Sequence, residues 1–198
     1  MDSLGRTIGN VFEFSLPMVF ISVVVLASLR IFDIVKNKKE FCFHKEIFAL
    51  IFIIYILCLF QVVTYQDNNY AAGNNLIPFQ EIFRHPVGSR LFFKNVLGNI
   101  FLFLPYGFFI SHYLKEKKTF PILILTLIVS VAVESTQLMI GRVFDIDDIL
   151  LNVVGGVLGH YCYILVLKIG QLCPKVFLSE WFLNLLSVFL LLGLIFLL

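Results

Sequence analysis

Long unbroken apolar runs alternate with short polar breaks along the whole chain. The runs fall at about residues 14–34, 47–65, 96–113, 120–140, 149–167 and 181–198. Each is close to the ~20 apolar residues that an α-helix needs to cross the hydrocarbon of a bilayer. A membrane β-barrel would instead alternate apolar and polar positions over about ten residues at a time. The pattern predicts an all-α polytopic bundle of about six transmembrane spans. Its breaks carry helix-ending chemistry: Asn37 with Lys38 and Lys39, Gly73-Asn74-Asn75 ahead of Pro78, Lys117-Lys118 ahead of Pro121, and Cys173-Pro174.

Composition agrees with the pattern. Of 198 residues, 60% are hydrophobic and 14% charged, with a mean hydropathy of +0.96. A soluble domain carries about 25% charged residues, so this chain has too few to coat a soluble globule. The expected organisation is two N-terminal spans over residues 1–65, an extracytoplasmic loop over 66–95, three spans within a domain over 75–167, and a C-terminal span over 168–198. No separate soluble catalytic domain fits, so any chemistry must come from helix ends, embedded side chains and short loops.

Assigning the breaks alternately to two sides puts Arg30, Lys36, Lys38, Lys39, Lys45, Lys115, Lys117, Lys118, Lys168 and Lys175 on one side. Arg6, Arg84, Arg90, Lys94 and Arg142 fall on the other. Cytoplasmic loops are the Lys/Arg-rich ones, so both termini and the acidic loop around Asp145 are expected outside the cytoplasm. The basic residues form no stripe with aromatics, which sets nucleic acid aside as a partner. Cys42, Cys58, Cys162 and Cys173 show no metal-ligand or CxxC spacing and read as unpaired. Asp2 and Glu13 stand where a signal peptide would be basic, so the first run is expected to remain as an anchor.

Three runs carry polar seams. In the fourth, Ser130, Glu134, Gln137 and Gly141 recur at helical spacing and form one stripe. The fifth opens on Asp145, Asp147 and Asp148, acids suited to a helix N-terminus. Asp145, Asp148, Asn152, Gly156 and Gly159 then share a face, and Asp147 points to the other side. Gly155 and Gly159 form a small-xxx-small pair that admits a close neighbour, and Gly156 joins them as a packing residue. In the third run Asn95, Asn99 and Tyr106 share a face, and Pro105 is expected to kink the helix and release the Phe101 carbonyl. Three polar faces turned to lipid would each be costly, so these runs are expected to pack together. Arg142 lies between two acidic seams, placed to pair with Asp145, Asp148 or Glu134.

The ordered set Asn75-Leu-Ile-Pro-Phe79, Asn95-Val-Leu-Gly-Asn99, Glu134-x-x-Gln137, Gly141-Arg-Val-Phe-Asp-Ile-Asp-Asp148 and Asn152-Val-Val-Gly-Gly156-x-x-Gly159 resembles the VanZ-like family of bacterial membrane proteins. The resemblance covers about residues 75–166 and leaves the first and last helices outside. It implies a bacterial plasma membrane and a role against cell-wall antibiotics, the family name coming from a protein associated with teicoplanin resistance. It implies no agreed reaction, and no catalytic residue is carried over.

Two accounts of the seams follow. In one they are a structural lock, with Arg142 neutralising an Asp and Gln137 and Asn152 tying helices together. In the other, Asn95, Asn99, Glu134, Gln137, Arg142, Asp145, Asp148 and Asn152 bind a ligand. The expected ligand is a membrane lipid or lipid-linked envelope precursor, with the glycopeptide antibiotic as a second candidate partner. Shielding that component would lower glycopeptide susceptibility. Alternatives are a membrane enzyme acting on a lipid-linked phosphate or phospholipid head group, with Glu134 as acid or base, and an accessory subunit of an envelope complex. No cofactor is implied. The hard oxygen ligands of the acidic cluster would also suit Mg²⁺ or Ca²⁺, though no EF-hand-like spacing is present. His85 and His160 are expected to be loop and packing residues. The aromatic loop holding Phe79, Phe83, Phe92 and Phe93 is expected to be a connector at the membrane surface.

Overall fold

The computed structural model describes residues 3–38, 40–64, 74–84, 86, 88–172 and 179–197. Expectations that rest on Gly73, His85, Cys173 or Pro174 lie outside the described residues. The long helices are α1 (Ser3–Asn37), α2 (Phe43–Thr64), α4 (Gly98–Leu114), α5 (Thr119–Met139), α6 (Ile146–Leu172) and α7 (Glu180–Leu197). A short α3 (Arg90–Phe92) and a π-helical turn (Phe93–Leu97) lead into α4. Each long helix overlaps one of the apolar runs, α1 extending well beyond its run at the N-terminal end. Among the described residues, four segments are long and apolar enough to cross a membrane: Phe43–Thr64, Arg90–Leu114, Thr119–Met139 and Ile146–Leu172. The fold is an all-α membrane bundle, whose only strand-like pairing among the described residues is an isolated parallel bridge between Asn75 and Asp145.

Internal contacts divide the chain into two compact units, Met1–Tyr65 with Gly170–Leu198, and Gln66–Ile169. In the first, Ile51, Ile54, Leu59 and Val63 bury one face of α2. Arg30 on α1 grips the Glu46 carboxylate of α2 with two hydrogen bonds, Nε to Oε2 at 2.9 Å and Nη2 to Oε1 at 2.8 Å. That fork-to-fork geometry is the strong form of an ion pair. His44 at the start of α2 lies 3.3 Å from Asn184 Oδ1 on α7.

The second unit holds the polar seams, and its helices meet in a fixed register. On α4 and α6, the hydrogen-bonded pairs Asn99 with Asp148 and Ser111 with His160 share one sequence offset of 49 residues. Gly107 faces Gly156 at the same offset. Only parallel helices keep such a constant offset. Helix α5 runs the other way: Ser130 meets Asn152, and Thr126 lies against Gly156. The result is four layers, each one turn or about 6 Å from the next. They are Asn99, Glu134 and Asp148; then Phe103, Ser130 and Asn152; then Gly107, Thr126 and Gly156; then Ser111, Ile122 and His160.

Glycine makes the third layer possible. A Cβ on Gly107 would strike the Gly156 carbonyl oxygen, one on Gly155 the Ile100 carbonyl oxygen, and one on Gly159 that of Leu104. The close approach expected from Gly155 and Gly159 is therefore the contact of α6 with α4. Hydroxyls facing this interior return their protons to their own helix, Thr126 Oγ1 to the Ile122 carbonyl at 2.7 Å and Ser111 Oγ to the Gly107 carbonyl at 2.6 Å. The Ser111 proton being so engaged, His160 Nδ1 must be the donor in its 2.9 Å contact with Ser111 Oγ. His160 is fully buried and packs as expected, with Nε2 left without a partner.

Candidate functional site

Local chain geometry sets the acidic end of this unit. Helix α5 closes on a Schellman motif: Gly141 has φ of +85°, Gly141 N–H donates to the Leu138 carbonyl at 3.1 Å, and Arg142 N–H to the Gln137 carbonyl at 2.9 Å. Only glycine adopts this left-handed turn without a Cβ penalty. The turn brings Arg142 back over Gln137. With its amide oriented so that nitrogen faces the carboxylate and oxygen the guanidinium, the assignment its neighbours require, the Gln137 side chain donates to Glu134 Oε1 at 2.9 Å and accepts from Arg142 Nη1 at 3.0 Å. Glu134 is 1% exposed, and its other oxygen, Oε2, accepts the Asp145 N–H at 3.1 Å. Both carboxylate oxygens of a group inside the bundle are thus engaged.

Asp145 caps α6. Its Oδ1 accepts the Asp147 N–H at 2.8 Å and the Asn75 side-chain amide at 2.8 Å. The flanking backbone forms the bridge, with Asn75 N–H donating to the Phe144 carbonyl at 2.9 Å and Ile146 N–H to the Asn75 carbonyl at 3.1 Å. One turn into α6, Asp148 accepts from the Asn99 side-chain amide of α4. One turn deeper, Asn152 Nδ2 donates to Ser130 Oγ at 3.0 Å.

Asp147 was expected on the far side of α6, away from the cluster, and it serves a different purpose there. It is 1% exposed, and its carboxylate collects three backbone amides: Phe79 N–H at 2.5 Å on Oδ1, and Glu81 N–H at 2.8 Å and Ile82 N–H at 3.2 Å on Oδ2. This clamps the 75–84 segment onto α6. The clamped turn includes Phe79 at φ of +69°, a left-handed conformation for a bulky residue.

Asn99, Glu134, Gln137, Arg142, Asp145 and Asp148 therefore come together, with Asn152 one layer below. Asn95 stays on an exposed surface. It lies in the π-helical turn, whose wider i→i+5 pattern takes it off the face that Asn99 presents. Asn75 and Asp147 are members of this end of the unit that spacing did not single out. Their partners are backbone groups and a residue 70 positions away, which no local periodicity encodes. Among the described residues, no group of three or more His, Cys, Asp and Glu side chains is placed to hold a metal ion.

Burial pushes the Asp145 carboxyl above its ordinary value, against the hydrogen bonds from Asp147 N–H and Asn75 that favour the anion. A carboxyl raised in this way binds its proton more tightly folded than unfolded. Its contribution to stability is fully present below the ordinary Asp range and is lost as pH rises through the raised value. Asp145→Asn keeps an oxygen for both donors and is expected to flatten that fall. Thermal unfolding of the two proteins between about pH 4 and pH 8 measures it; parallel slopes would assign the pH dependence elsewhere.

A bundle of apolar helices closed by one cluster of embedded carboxylates, amides and a guanidinium defines a polytopic membrane protein with a polar helix-end site. The family model described as VanZ/LLP1 matches residues 46–167, and the chain belongs to that family. The match begins within α2, well before the 75–167 span that the motifs delimit, and takes in nearly all of α2 together with α4, α5 and most of α6. No curated protein and no solved structure matches the chain.

Proposed function

We propose that this protein is a multi-pass component of the bacterial plasma membrane. In this reading the cluster of Asn99, Glu134, Gln137, Arg142, Asp145 and Asp148 binds a membrane lipid or lipid-linked envelope precursor. Holding or shielding that component reduces the access of glycopeptide antibiotics such as teicoplanin. The observation that carries the reading is the chain of hydrogen bonds from Arg142 through Gln137 to Glu134 and on to the start of α6. Intramembrane ionisable groups are expensive and mark functional sites by default. The Lys/Arg bias of the loops supports placing this end of the unit, and both termini, outside the cytoplasm. Head groups lie at that depth, and a carboxylate one layer inside the interface meets them without crossing the bilayer.

The test is to express Glu134→Gln and Arg142→Ala variants in a susceptible bacterial host and measure teicoplanin susceptibility and antibiotic bound per cell, with membrane insertion verified. Each variant is expected to lose most of the protection that the unaltered protein confers. Undiminished protection from correctly inserted variants would remove the cluster from the function. Protection restored by exchanging Glu134 and Arg142 would make the cluster a structural lock instead.

A further inference from the structure

Among the described side chains, two carboxyl groups of the site, Glu134 and Asp148, lie in the field of one guanidinium, Arg142, which also meets the neutral Gln137. One layer below them Asn152 is 2% exposed. Its Nδ2 is engaged by Ser130, while its Oδ1 has no partner. Helical side chains lean toward the N-terminus of their own helix, so Asn152 leans toward Asp148 and the acidic layer. A buried amide oxygen without a donor is an exception among folded proteins, and an unmet acceptor beneath carboxyl groups that outnumber the guanidinium beside them points to a missing donor that is positive.

We propose that the site recognises a primary ammonium group on a lipid head group, with one N–H donated to Asn152 Oδ1 and the charge held by Glu134 and Asp148. This rests on the lipid-binding reading above and narrows it from any head group to a cationic hydrogen-bond donor. A primary ammonium supplies three N–H donors on a compact charge. A quaternary ammonium has the charge but nothing to donate. A phosphate would bring further acceptors and negative charge to a site already lined with carboxyl oxygens. Two envelope chemistries carry the group: an ethanolamine phospholipid, and a lipid-linked peptide with a lysine side chain.

The experiment titrates the purified full-length protein with four probes and counts retained lipid by native mass spectrometry. The probes are dioleoyl phosphatidylethanolamine, its phosphatidylcholine and phosphatidylglycerol counterparts, and a lipid-anchored lysine peptide. The ethanolamine lipid is expected to bind about tenfold more tightly than the choline lipid, the equivalent of one charge-assisted hydrogen bond. Asn152→Leu loses that preference and Asn152→Asp, which keeps the acceptor, retains it. The tighter of the ethanolamine lipid and the lysine peptide identifies the source of the ammonium. Equal binding of the ethanolamine and choline lipids, or a preference that survives Asn152→Leu, overturns the proposal. Preferential retention of phosphatidylglycerol overturns it while leaving lipid binding intact, whereas retention of no lipid at all removes both. If Asn152→Leu fails to fold, the near-isosteric Asp148→Asn must lower ethanolamine-lipid affinity, and unchanged affinity there also overturns the proposal.

Discussion

Gly107→Ala is expected to destabilise the protein more than any other single-methyl change in the α4–α6 pair. The added carbon would lie 2.6 Å from the Gly156 carbonyl carbon and 2.7 Å from its Cα, and closer still to the carbonyl oxygen. All three are helix backbone, so no side chain can swing away. Helix α4 must retreat from α6, and the same retreat pulls Asn99 from Asp148 and Ser111 from His160, because those bonds share the register of the glycine contact. Overpacking costs about 1–3 kcal/mol, and each interhelical hydrogen bond in a membrane about 0.6 kcal/mol. The combined loss should reach about 2–4 kcal/mol, read from thermal or denaturant unfolding of the purified protein. Gly98→Ala is the matched control: nothing lies within 4 Å of a methyl there. The better helix propensity of alanine should leave it unchanged or more stable by up to about 1 kcal/mol. The same substitution thus has opposite signs about two and a half turns apart, and equal effects would contradict the register.

That register shows what the sequence could and could not convey. The six helices were legible because a bilayer interior demands unbroken apolar runs, and the runs match the helices to within a few residues except at the extended N-terminal end of α1. The Gly155 and Gly159 pair announced a close neighbour, but a one-helix pattern does not say which helix approaches. Only the constant offset between α4 and α6 names it. Glu134 and Gln137 were legible from spacing, and the Gly141 turn that carries Arg142 back to them from its glycine. The exposed position of Asn95 is not legible because hydrophobic periodicity assumes an ordinary helix and does not reveal a π-helical turn. Ser111 carries no signal of its own in the sequence because its partner, His160, lies on another run. Asp147 was set aside for a related reason: its partners are backbone amides, which every residue has and no sequence pattern marks.

Those amides make Asp147 the second position of large effect. Replacing it with asparagine is ordinarily mild, yet here it should be nearly as damaging as alanine. The carboxylate faces donors on both sides, Phe79 N–H on Oδ1, and Glu81 and Ile82 N–H on Oδ2. An asparagine has one accepting oxygen, so in either orientation its NH₂ group confronts at least one backbone donor. A buried donor left unmet costs about 1–3 kcal/mol. Asp147→Asn should therefore lose about 2–3 kcal/mol, and Asp147→Ala, which leaves all three amides unmet, slightly more. The left-handed Phe79 supplies a second measurement. Its backbone conformation costs about 1 kcal/mol or more and persists because Asp147 holds the turn. Once the clamp is gone the 75–84 segment should relax, and protease cleavage or amide hydrogen exchange there should rise sharply while α5 and α6 stay protected. Phe79→Gly, which fits the left-handed turn, should restore part of that protection in the Asp147→Asn background. A uniform rise in exchange across the whole unit would mean that Asp147 supports the entire bundle rather than this turn. An asparagine variant as stable as the original would mean that one amide, not three, holds the segment in place.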